Sequence, residues 1–573
     1  MDTLFINREL VIRHPLTLVS FLQDLLEISI DSFVQTDPEP DDTESVYTAD
    51  SIEEDDIPAE YTMEKIEEEI SQIPELKDNH SFNTLWRLLK DFPVLTFVVE
   101  PYYVDKNYRD TYYSHYSSKH FSYKRYCKRL FIFNGDLTGE NQRSFVDIPS
   151  SELQKVFMGC IVIRPLDNGK IGRTLLTPYY FCNSGNSGDA FVRFAKYNVT
   201  VSGKRLKINA FPYSMQDGET TSCAENTIGN LLDYFSKRYV EYKYLLPSEI
   251  ISVALKHGYD RKLPTKGLDY RTISRVLMEA GFYPCLYEAV NLSGTDKMRR
   301  MFHYYIESGI PVAAGMQVNN SNDRHSIIGI GHKSLDKSLL TIKQYGVARE
   351  EDGEIWFYDS ANAVSQYIVM DDHDVPYSEY TWEHNNGDYL GNYKFEHLLV
   401  PLYKRMYLEA SDAYDICTSI LADGQFGIQS FIPGIGSFEN PFVIRLFMAS
   451  ARGLKRHRIE HFSKVNEEAR GFYINTPFPR FVWVCEIYTV GNYPKKCSGE
   501  IIVDATASAY ANSSAIIILH FPNNIFFKLP EDSRGLKYSE GHYLESWEEF
   551  AGYRGNLHDT NERDDDYKEV QSK

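Results

Sequence analysis

Ser222 and Glu225 stand three residues apart at the mouth of a run in which Ala224, Ile228, Leu231, Leu232 and Phe235 recur at helical spacing. The S-x-x-E pair has the spacing of a capping box, in which each side chain satisfies a backbone N–H that a helix start leaves without a partner. A helix is therefore expected to begin there, with Ser222 as N-cap, Cys223 as first residue and one face buried. The preceding stretch, YSMQDGETTS, is polar and turn-rich, so the chain enters the helix through a loop. A thiol in the first turn lies at the positive end of the macrodipole among free N–H groups, and both favour thiolate. The same N–H groups can receive an oxyanion when a carbonyl is attacked. Cys223 is thus a candidate nucleophile. Gln216, seven residues upstream, is a candidate second oxyanion donor through its carboxamide.

A thiolate nucleophile needs a base, and SGIPVAAGMQVNNSNDRHSIIGIGH supplies one in context: a strand from Pro311 to Met316, a polar loop, then His325 opening a second strand. A histidine at a strand mouth can be held rigidly with its ring facing a cleft. His332, later in the same strand, is expected to have no part in the chemistry. The imidazole in turn needs an orienting acceptor. QYIVMDD offers Asp371 and Asp372, and EIWFYDSAN offers Asp359. Because side chains alternate along a strand, Asp371 and Asp372 are not expected to face the histidine together. Asp371, continuing the Ile-Val-Met strand, is favoured, with Asp372 and Asp359 as alternatives.

These pieces, QDGETTSCAENTIGNLL, GIPVAAGM with HSIIGIGH, and YIVMDD, resemble the papain-like cysteine peptidase superfamily, and within it bacterial enzymes of the bacteriocin-leader-peptidase type, which carry an aspartate as third member. The resemblance covers about residues 209 to 400. It departs from the family in placing the glutamine one residue further from the cysteine, in lacking an aromatic after the cysteine, and in a long insertion between the His325 strand and Asp371. The resemblance implies an α+β papain-like catalytic domain, a cysteine helix followed by an antiparallel sheet carrying histidine and aspartate. It implies a thiol peptidase cutting a peptide or isopeptide bond in a protein or peptide substrate through a Cys223 acyl-enzyme, without cofactor or metal. A transglutaminase, acyltransferase or deamidase would use the same groups, and a non-enzymatic interaction scaffold would retain only the fold.

At 573 residues the chain exceeds what one hydrophobic core supports. The expected organisation is an N-terminal segment over 1–75 with an acidic mobile stretch, a mixed α/β domain over 76–208, the catalytic domain over 209–402, a helical and β-meander region over 403–535, and a polar acidic tail over 536–573. No Lys or Arg occurs between Arg13 and Lys65, and Asp37 to Glu60 is too acidic and too poor in large apolar groups to offset its ordering entropy. The tail after Arg554 reads the same way. GCIVIRPLDNGKIGRTLLTP reads as a hairpin turned at Asn168-Gly169, and FVIRLFMASARGLKRHRIEHFSKV as helical.

The formal charge of -21 argues against a nucleic-acid backbone or an anionic membrane as main partner. The tyrosine-rich basic stretch KNYRDTYYSHYSSKHFSYKRYCKR is accordingly expected to be an ordinary surface. Eight scattered cysteines with no CxxC pair suggest neither a zinc ribbon nor a disulfide framework, and fit a reducing, cytoplasmic setting. No apolar run approaches the ~18 residues of a spanning helix. HRIEH, His457 to His461, has the spacing of inverted zinc peptidases and would need Glu467 or Glu468 as a third ligand. Such a short match in a basic helix arises by chance, and GKIGRT and PGIGSF lack the lysine and spacing of a phosphate loop.

Overall fold

The computed structural model describes residues 8–29, 62–138, 144–167, 169–182, 189–256, 269–290, 295–318, 323–345, 354–382, 393–508, 510–528 and 540–562. The acidic stretch from Asp37 to Glu60 lies outside them. The architecture is α+β, built on three large sheets that are antiparallel except at one seam. The first has five strands in chain order, Arg8–Ile12, Leu95–Tyr103, Cys127–Asn134, Phe157–Arg164 and Lys170–Leu176. Its last two strands form the expected hairpin, and Gly169 takes the left-handed backbone (φ 55°) that the turn requires.

The second sheet carries Ser378–Thr381, Gln366–Met370, Arg324–Lys333, Val312–Val318, Tyr393–Val400 and Cys285–Glu288 in that order. Ala190–Val192 pairs with the far end of Arg324–Lys333, and His558–Asp559 pairs with Ala190–Val192 in turn. The chain after Arg554 is therefore docked as far as 562, unlike the mobile tail expected: Asn556 donates to the carbonyls of Glu307 (2.9 Å) and Met448 (2.7 Å), contacts that its polarity alone does not advertise.

The third sheet begins with Ile342–Tyr345 and Ile355–Asp359 and continues through Phe442–Ser450, Phe481–Thr489, Gly499–Asp504, Ile516–Phe521, Asn524–Phe527 and Glu540–Tyr543. Phe442–Ser450 is a strand and not part of the expected helix. Seven of its nine residues are buried, so both faces are covered and no period of two survives for the sequence to display. Ser450 then caps the helix Ala451–His461 through its hydroxyl, which accepts from the Gly453 N–H at 3.1 Å.

Four basic residues of the tyrosine-rich stretch pair with carboxylates elsewhere in the fold. Lys119 pairs with Glu219 (3.0 Å), Lys124 and Lys128 with Glu27 (2.8 and 3.2 Å), and Arg129 with Glu100 (2.6 Å). Among the described residues no helix is long and apolar enough to cross a membrane.

Candidate active site

The helix expected at Cys223 runs Cys223–Arg238, and its capping box is formed: the Ser222 N–H donates to Glu225 Oε2 at 3.1 Å, and the Ser222 hydroxyl donates to the same oxygen. Ile228, Leu231, Leu232 and Phe235 are fully buried, which fixes the helix against the second sheet and leaves its first residue at the rim. Of the eight cysteines, all unpaired, Cys223 alone is not buried.

The loop leading into the helix is organised by Asp217. One carboxylate oxygen accepts the N–H groups of Glu219, Thr220 and Thr221 at 2.9, 2.7 and 2.9 Å, and the other accepts the Tyr116 hydroxyl at 3.1 Å. Burial alone would raise this carboxyl, but Arg164 and the ring of donors hold it below the ordinary range. Gly218, at φ 77°, turns the chain over it.

Two strands place the histidine and the aspartates. His325 is the second residue of Arg324–Lys333 and pairs with Met316. On the other side Met370 pairs with Ile328, and there the strand Gln366–Met370 ends. The chain then turns, the Asp374 N–H donating to the Asp371 carbonyl at 3.1 Å, and the turn folds over the histidine ring. Nε2 of His325 lies 2.7 Å from Asp371 Oδ1 and 3.7 Å from Asp372 Oδ1. Both aspartates therefore face the histidine, contrary to the expectation from strand alternation, because they lie beyond the strand's last residue where that rule no longer acts. Asp359 is engaged elsewhere, accepting the Tyr304 hydroxyl at 2.5 Å and the Ala361 N–H at 3.0 Å.

The electrostatics sort these groups. Burial works against a charge on His325, but Asp371, its hydrogen bond, the adjoining Cys223 thiol and Asp372 together hold the imidazole well above its ordinary value. Asp371 is fully buried, yet the His325 charge and donors from His325, the Tyr380 hydroxyl and the His373 N–H (2.8 Å) hold it well below the carboxylate range. Asp372 is the opposite case: burial, and then the like charge of Asp371, push it up to about 7 against the pull of His325. Its Oδ2 accepts from Asn226 Nδ2 at 3.2 Å, whereas its buried Oδ1 has no hydrogen-bond partner among the described residues. With Nε2 engaged by Asp371, Nδ1 is the ring nitrogen left for exchange with the thiol.

Gln216 reaches the site through a neighbour the sequence did not single out: its carboxamide meets Nε2 of His373, whose ring lies 4.8 Å from that of His325. Burial, and then the His325 charge, push His373 down to about 4, so it is neutral. His80, first residue of the helix His80–Leu89, packs edge-on against His373 at 5.6 Å and so brings the first sheet's helical cover to the site. Tyr270 reaches the other side. A Cβ on Gly315 would stand 1.4 Å from its hydroxyl, so only glycine admits that ring there. A signal for His373 lay in plain view in the DDHD run, but His80 and Tyr270 carry none that is local.

His332 is buried with its Nε2 2.8 Å from Glu307, beside a cavity of about 1010 Å³ also lined by Arg445, Arg554 and His558. His457 and His461 stack on one another at 4.1 Å, and His461 Nδ1 bonds the His457 carbonyl. Glu468, a candidate third ligand for them, is paired with His542 instead. No family model, curated protein or solved structure matches this chain.

Proposed function

We propose that the chain is a thiol peptidase of the papain-like kind, hydrolysing a peptide or isopeptide bond in a protein or peptide substrate through an acyl-enzyme on Cys223. The observation that carries this reading is the place of His325, bracketed by the Cys223 thiol and by Asp371 at 2.7 Å, and drawn towards imidazolium by both. A helix bearing the cysteine, packed on an antiparallel sheet bearing the histidine with the aspartate just past a strand end, is the arrangement that papain-like domains use.

The Cys223 thiolate attacks the substrate carbonyl carbon, and the carbonyl electron pair moves onto oxygen. The N–H of Cys223 at the helix start and the carboxamide of Gln216 receive that oxyanion. The His325 imidazolium gives its proton to the leaving amine, the C–N bond breaks, and a thioester remains. Water, deprotonated by His325, then attacks the thioester and releases the acid and the thiolate. Asp371 holds the ring and its charge throughout, and Asp372 stands 3.7 Å from the same nitrogen. The chemistry requires no cofactor. The eight unpaired cysteines fit a reducing cytoplasm as the setting.

The test is a peptide-substrate screen with the full chain and with Cys223→Ala. Hydrolysis that the substitution abolishes supports the reading, and turnover that survives it refutes it. Added primary amine separates hydrolysis from acyl transfer on the same groups: mostly free acid is expected, and mostly amide would make the chain a transferase.

A further inference from the structure

We propose that His325, Asp372 and His373 together form a binding site for a zinc-class divalent cation, and that the bound cation switches the Cys223 chemistry off. One donor atom from each of the three lies within 4.8 Å of the other two, and the His325 Nε2 to Asp372 Oδ1 separation is 3.7 Å. Zinc bonds nitrogen and oxygen at about 2.0–2.2 Å, which sets neighbouring tetrahedral donors roughly 3.3–3.5 Å apart. The pair is thus nearly at ligating distance, and a donor atom of His373 lies within 4.8 Å of both. Two imidazoles and one carboxylate suit zinc, cobalt, nickel or copper; magnesium and calcium prefer all-oxygen sets.

A second observation points to the same place. Asp372 is 6% exposed, and its Oδ1 has no hydrogen bond among the described residues while standing beside His325 Nε2. A buried carboxylate oxygen without a donor is costly, and a cation is one of the few things that satisfies it. Outer-shell support exists as well: Asn226 holds the other oxygen of Asp372 at 3.2 Å, and the Gln216 carboxamide orients the His373 ring.

The switch follows from a conflict at one atom. Nε2 of His325 can share a proton with Asp371 or give its lone pair to a cation, but not both. Once it is metal-bound, Nδ1 keeps its proton and cannot take that of the thiol. This regulatory half rests on the thiol-peptidase reading, whereas the binding half does not.

The experiment titrates metal-free full-length chain with Co²⁺ and reads the visible ligand-field bands. One equivalent is expected, with tetrahedral intensity, displaced by Zn²⁺. The near-isosteric Asp372→Asn and the His373→Gln variants should each weaken binding by at least about tenfold, while Cys223→Ser retains it; near-ultraviolet circular dichroism verifies that each variant is folded. In unmodified chain, independent of any variant, Zn²⁺ should slow alkylation of Cys223 at least tenfold and a chelator should restore it. No Co²⁺ bands, or bands that survive both ligand substitutions, overturn the site. Binding that leaves alkylation unchanged overturns the switch. If Co²⁺ binds these three residues but no peptide is ever cut by the metal-free chain, the site stands and the peptidase reading falls.

Discussion

Cys223 differs from the other seven cysteines in one simple respect, that a reagent can reach it. Burial also pushes the Cys160 thiol up to about 11, and those of Cys127, Cys182 and Cys497 higher still. A limiting dose of iodoacetamide should therefore label Cys223 first, as peptide mapping would show; first labelling at Cys127 or Cys497 would refute the assignment. His325→Ala should slow that labelling at neutral pH and lower hydrolysis by about 10³-fold, since proton transfer by a positioned side chain contributes ~10²–10⁴. His332→Ala is expected to act on a different quantity. It leaves Glu307 buried with Arg445 (2.6 Å) as its remaining charge partner. Stability in urea should fall by about 3 kcal/mol while activity per folded molecule stays within a few fold. Cysteine and first histidine were legible because each is announced locally, by a capping box and by a strand mouth. His373 and His80 acquire a role only from tertiary contact, which no window of sequence contains.

The loop before the cysteine helix gathers three of its N–H groups on one carboxylate, Asp217, so its order should depend on pH. Asp217 titrates lower in the folded chain than its ordinary value of about 3.9, so the folded form binds fewer protons there. The stability it contributes is complete above that value and is lost as pH falls through the depressed one. Asp217→Asn should remove this acid-side dependence, visible as a flatter melting temperature below pH 4, and cost about 2 kcal/mol at neutral pH through weaker bonds to the three N–H groups. The approach of Tyr270 to Gly315 makes a further case: Gly315→Ala must displace the ring, and substrate turnover should fall more than stability does. Element boundaries were the harder part of the sequence to read. The hairpin at Gly169 and the helix at Cys223 carry turn and cap chemistry of their own. Phe442–Ser450 carries neither, and its double-sided burial merged it with the helix that follows. Asp372 was misplaced for a related reason, since where a strand stops is set by its neighbours, and alternation fails one residue later.

Across the whole molecule, the third sheet is anchored on a fully buried arginine. Arg458 bonds Glu486 at 2.8 Å and Glu500 at 2.5 Å, and Glu486 also takes Arg445 at 2.8 Å, which continues to Glu307 behind the second sheet. Arg458→Met would leave buried Glu500 without its cation and Glu486 with Arg445 alone, and should destabilise the chain by about 3–5 kcal/mol, measured by thermal or urea unfolding, without altering the reactivity of Cys223 in molecules that remain folded. The pairing of Ala190–Val192 with His558–Asp559 has a consequence in time as well as in space. A ribosome adds about 5–20 residues each second, so the short strand that borders the histidine strand waits on the order of tens of seconds for its second neighbour to emerge. For that interval one edge of this three-residue strand is unpaired in a nascent molecule. Elongation rate thus sets how long that edge stays open, because its second neighbour is made so much later in the chain.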